Sequence, residues 1–79
     1  MENIVFDSTN PKFLCELMEK YGDSEYPFCG KNDNGEDTEI HISKMDIIYK
    51  TYQNNGWIRV NYFDKNGYLN EESFDGRWK

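Results

Sequence analysis

The residues able to do chemistry in this 79-residue chain are one histidine, His41, two cysteines, Cys15 and Cys29, and fifteen carboxylates. A lone imidazole works as a general acid or base only beside a nucleophile or second carboxyl within hydrogen-bond reach. His41 stands between Ile40 and Ile42, and strand alternation points it away from both. No Ser, Cys or Lys sits in a recognisable nucleophile motif. Two cysteines and one histidine do not close a four-ligand zinc site without carboxylates, and no CxxC spacing is present. Cys15 and Cys29 therefore read as two buried, reduced, small hydrophobes. Phosphate-cradling GxxxxGK and GxGxxG loops are missing. These absences predict a protein that is not an enzyme and that uses no metal or cofactor.

One segment has the look of a calcium loop. In Asp64-Lys65-Asn66-Gly67-Tyr68-Leu69, placing Gly67 at loop position 6 puts Asp64 and Asn66 at positions 3 and 5. Position 1 is then Tyr62 and position 12 is Ser73, where an EF-hand needs an oxygen ligand and a bidentate Glu. The flanks are β-prone, so the segment reads as a hairpin turn.

Charge is distributed more informatively. Nine acids between Glu16 and Asp46 face three bases (Lys20, Lys31, Lys44), whereas residues 47–79 carry four acids and five bases. The whole chain has net charge -6 and a sequence pI of about 4.6. A one-sided negative field repels phosphate and attracts basic protein surfaces. Direct nucleic-acid binding is thus disfavoured. No stretch approaches the roughly 20 apolar residues of a membrane span, and the start lacks a basic n-region with an apolar core. The expected location is the cytoplasm.

The elements that must position these groups are legible from periodicity. Phe13, Leu14, Leu17, Met18 and Tyr21 form an apolar stripe of helical period. Asn10 or Thr9 can cap it, Pro11 suits the first helical position, and Gly22 is placed for a left-handed stop. One helix over Pro11–Tyr21 follows. Ile4–Phe6 is a brief β-prone run. Strands are expected around Tyr26–Cys29, over Thr38–Ser43, Asp46–Tyr52, Trp57–Phe63 and Tyr68–Phe74. Turns at Asn34-Gly35, Asn55-Gly56 and Asn66-Gly67 separate the later ones. The fold class is α+β: a single small domain over 1–79, an antiparallel β-meander of four to five strands with one N-terminal helix packed on one face. The helix stripe with Ile40, Ile42, Ile58, Val60 and Tyr62 is the expected core. Five Phe, six Tyr and two Trp supply density to a chain short enough for marginal stability. A single sheet with one helix leaves little room for a pocket.

Two binding surfaces are candidates. The first is acidic: Glu25, Asp33, Glu36, Asp37 and Glu39, which could engage a protein partner with a basic surface, imitating phosphates in the groove of a nucleic-acid-binding protein. In size and charge alone the chain resembles inhibitors encoded by phages and mobile elements, including anti-CRISPR and anti-restriction proteins. The second is the strand face Trp57, Arg59 and Phe63, suited to self-association as a homodimer or to an apolar ligand. A bland structural protein without catalytic activity is the third reading.

Overall fold

The computed structural model describes residues 8–23 and 27–79. The expected run Ile4–Phe6, and Ser24, Glu25 and Tyr26, lie outside the described residues. Helix α1, Pro11–Tyr21, begins as its sequence dictates: the Asn10 side chain accepts from the Phe13 N–H at 3.3 Å, with Pro11 in the first turn. Its buried residues are Leu14, Leu17 and Met18. Strands β1 (Phe28–Lys31), β2 (Asp37–Ile42), β3 (Ile47–Tyr52), β4 (Trp57–Phe63) and β5 (Leu69–Arg77) pair antiparallel in the order β1-β2-β3-β4-β5. This is the α+β meander with a helix on one face. No helix among the described residues is long and apolar enough to cross a membrane.

Strand register decides what the helix covers, because residues paired directly across strands share a face. Ile42 pairs with Ile47 and Ile47 with Phe63; Ile40 pairs with Phe28 and Tyr49. These side chains meet Leu14, Leu17 and Met18 in the main core. The expected assignment of β4 is therefore inverted. Ile58, Val60 and Tyr62 lie on the opposite face, and Phe63 faces the helix. Strand β4 carries large apolar side chains on both sides, Trp57 and Phe63 on one and Ile58, Val60 and Tyr62 on the other, so alternation alone could not choose between them.

The helix lies across one end of the sheet. Its start abuts the β4–β5 turn, where a Cβ on Gly67 would stand 2.3 Å from the Pro11 carbonyl oxygen. Its end abuts the β2–β3 turn. Gly22 has φ -62°, not a left-handed conformation. Glycine is needed there for space, since a Cβ would meet the Met18 carbonyl oxygen at 2.4 Å and Lys44 Cγ at 2.5 Å. Lys44 and Asp23 pair beside this junction at 3.4 Å.

Strand β5 runs through Asp75-Gly76, where a break was expected. Gly76 takes φ +89°, an extra residue bulges from β5, and Trp57 pairs with Arg77 beyond it. A second irregularity lies between Tyr62 and Phe63. Bulges and charges such as Glu71, Glu72 and Asp75 are ordinary protection for a free sheet edge.

The aromatics do not fill the core as expected. Phe63 is the buried aromatic of the main cluster, with Phe13, Tyr21, Phe28 and Tyr49 packed against it. Trp57 and Trp78 are 41% and 43% exposed and Phe74 is 62% exposed. Neither cysteine is buried: Cys15 is half-buried with its thiol 3.7 Å from the Lys65 carbonyl oxygen, and Cys29 is exposed and free. Cys29 sits on edge strand β1, opposite Glu39 on the face away from the helix.

Candidate groove on the uncovered half of the sheet

Helix α1 covers only the end holding Ile42, Ile47 and Phe63, and no other element among the described residues covers the rest of that face. The strands continue across it as Thr38, Thr51, Asn61 and Arg59, with Glu72 opposite Asn61. The β1–β2 turn forms one wall through Asn32, Asn34 and Glu36. The result is a groove of about 500 Å³, within the size range of ligand sites. One helix laid across a single end of the strands leaves the volume that had not been expected. Phe63, Leu69 and Tyr49 give it an apolar end, and Gln53, Arg59 and Glu72 belong to its polar end.

Its electrostatics follow from partners. Arg59 Nη2 donates to Glu72 Oε2 at 2.9 Å, so this pair is locally balanced. Glu36 Oε1 accepts from Asn32 Nδ2 at 2.9 Å, and Oε2 accepts from the Asn54 N–H at 2.8 Å. Donation by Asn32, then by Asn54, holds the Glu36 carboxyl below its usual pKa. It is the unbalanced charge of the groove. Burial raises the Tyr49 phenol, against hydrogen bonds with Thr51 and Thr38, so Tyr49 is neutral at pH 7. Two further oxygens, Gln53 Oε1 and Asn61 Oδ1, are buried without a hydrogen-bond partner among the described residues. An orphaned buried acceptor costs about 1–3 kcal/mol.

The candidate residues divide around this groove. Glu36, Arg59 and Phe63 line it. Trp57 lies one alternation beyond Arg59, edge-to-face with Phe74 at 6.1 Å and under the Arg77 guanidinium at 5.0 Å. Asp33 is exposed in the turn. Asp37 and Glu39 are on the opposite face: Asp37 pairs with Lys31 at 2.7 Å, and Glu39 accepts from the Tyr52 hydroxyl at 2.5 Å with His41 at 3.2 Å. The acids are not gathered into one surface. Sequence reasoning missed Gln53 and Glu72. Asn61 and Glu72 become neighbours only through the β4–β5 register, and the polar half of β4 was the one available signal.

The opposite face carries a smaller recess of about 420 Å³ that includes Cys29, Asp37, Glu39, Tyr52 and Trp78 but not His41. Trp78 closes one side, packing edge-to-face on Tyr52 and donating from Nε1 to the Gln53 carbonyl oxygen at 2.7 Å. The Glu39 contact raises the Tyr52 pKa to about 12, and Tyr52 in turn lowers that of Glu39. The Tyr52 contribution to stability is fully present below its ordinary value of 10.0 and is lost as pH rises through about 12. That of Glu39 is present above 4.5 and is lost as pH falls through its lowered folded value. Replacing Glu39 by Gln should return the ultraviolet titration of Tyr52, isolated by subtracting the Tyr52→Phe trace, toward 10.0. A Tyr52 that still titrates near 12 in Glu39→Gln would assign the shift to something other than this contact.

Among the described residues no group of three or more His, Cys, Asp or Glu side chains is placed to hold a metal ion. Asp64 Oδ1 accepts from the Asn66 and Tyr68 N–H groups at 2.9 and 3.1 Å, closing a hairpin turn. Fold and site together define a small helix-on-sheet domain whose described residues form a polar groove with an apolar end. Comparison with known protein families, curated proteins and solved structures finds no match.

Proposed function

We propose that this is a small, acidic, non-catalytic protein-binding module that engages a partner with a basic surface through the open half of its helix-side face. The observation that carries the reading is the construction of that half-face. A polar groove with an unbalanced carboxylate, Glu36, runs toward two exposed aromatics, Trp57 and Phe74. Large aromatics beside a desolvated polar cluster are the usual anchors of protein interfaces. The net charge of -6 steers a basic partner toward it. Inhibition of a nucleic-acid-binding protein by occupation of its basic groove is the biological form this takes.

The test is capture of partner proteins on the immobilised domain. Binding of one basic protein should weaken steeply on raising salt toward about 0.15 M, where the Debye length is about 8 Å. It should fall at least about tenfold in Trp57→Ala, with the fold intact, the ordinary loss for an interface anchor. A partner held equally well by Trp57→Ala and by Glu36→Gln would place the contact elsewhere.

Self-association is a second reading, favoured by the Trp57–Phe74 pair lying beside the free edge strand β5. Sedimentation equilibrium separates the two. A salt-insensitive dimer that Phe74→Ser dissolves would support it, and a monomer at all concentrations would end it.

A further inference from the structure

Resting on that reading, we propose that the groove receives an arginine side chain of the partner, its stem along the apolar end and its guanidinium among the acceptors of the polar end. The groove is amphipathic in the manner an arginine requires. Phe63, Leu69 and the Tyr49 ring offer a surface to methylenes, and Glu36 offers a carboxylate beyond them. Arg59 and Glu72 neutralise one another at 2.9 Å, and Tyr49 is uncharged. Among the described residues the remaining titratable group of the lining is the ionised Glu36, so an incoming cation meets a net negative site. A planar guanidinium carries five N–H donors in fixed geometry. The lining offers acceptors at Glu36, Gln53 Oε1 and Asn61 Oδ1, the two amide oxygens having no partner among the described residues. The two amide oxygens are shut from water as they stand. Occupancy therefore turns these side chains toward the ligand, which makes them reporters of binding.

The probe is N-acetylarginine amide, titrated into the ¹⁵N-labelled protein while the side-chain amide signals of Gln53 and Asn61 are followed. Saturable shifts are expected, with a dissociation constant of about millimolar, as suits one side chain. N-acetylcitrulline amide, equal in shape but uncharged, should produce none, and N-acetyllysine amide a weaker response. Glu36→Gln should weaken arginine binding at least about fivefold. Because Glu36 also ties two turns together, a second variant guards against misfolding. Asn61→Leu removes an orphaned acceptor, so it should fold at least as stably as the parent and yet lose affinity. Equal shifts from arginine and citrulline, or an unchanged constant in both variants, would overturn the proposal. The parent reading fails separately. Arginine shifts without any captured protein would uphold the groove chemistry and refute the partner. Capture that Trp57→Ala abolishes, with no arginine response, would do the reverse.

Discussion

Gly67→Ala will destabilise this domain far more than Gly35→Ala, although both glycines lie in hairpin turns with similar dihedrals, φ +82° and +75°. Each substitution forces a side chain into the left-handed region, at about 1–2 kcal/mol. There the likeness ends. A Cβ at Gly35 meets nothing within 4 Å, whereas one at Gly67 falls 2.3 Å from the Pro11 carbonyl oxygen and 2.9 Å from its carbonyl carbon. Backbone cannot swing aside as a lysine tip can. The start of α1 must lift from the β4–β5 turn, adding the about 1–3 kcal/mol typical of overpacking. Gly67→Ala should cost about 2–5 kcal/mol in urea unfolding and Gly35→Ala no more than about 2. Equal losses would mean that the helix does not rest on this turn.

A second large effect tests which side of β4 faces the helix. Phe63 is 3% exposed and packs with Leu14, Ile42 and Ile47, while Tyr62 beside it points to the opposite face and is half-buried. Truncating a buried phenylalanine costs about 3–5 kcal/mol. That is a large share of the roughly 5–15 kcal/mol that holds an ordinary domain together. In a chain of this size each kcal/mol lowers the melting temperature by about 4–8 °C. Phe63→Ala should therefore be partly unfolded near room temperature, and Tyr62→Ala should keep most of its thermal transition. The reverse ranking would restore the face assignment that β4 alternation first suggested.

These predictions mark where sequence reasoning stops. Local signals were sufficient for α1, since its cap, its proline and its stripe concern neighbours along the chain. They were sufficient to place three of the hairpins too, although these turn through three-residue loops in which Gly35, Gly56 and Gly67 alone take positive φ, and not through the two-residue Asn-Gly turn. The face chosen by the helix is not a local property. Ile58, Val60 and Tyr62 offered three apolar side chains against Trp57 and Phe63. The choice is settled by the pairing of Ile47 with Phe63, which depends on turn lengths on both sides of β3. Gly22 teaches part of the same lesson: its role looked conformational and is steric, set by the Met18 carbonyl one turn back and by Lys44 more than twenty residues away. The groove was least legible of all. It exists because α1 lies across the strands at the end of the β2–β3 and β4–β5 turns and covers only about one helix diameter, roughly 10–12 Å, of their length. Trp57, Arg59 and Glu36 were visible as candidates by type, but their separation from Asp37 and Glu39 required the register.

The central claim is that the uncovered half of the helix-side face is the contact surface. The direct measurement is a ¹⁵N–¹H spectrum of the labelled domain, free and saturated with its captured partner. The account predicts that signals of Thr51, Gln53, Trp57, Arg59, Asn61 and Glu72 shift or broaden while those of Glu39, His41, Tyr52 and Tyr62 stay in place. Perturbation concentrated on the second group would put the partner on the opposite face and contradict the claim.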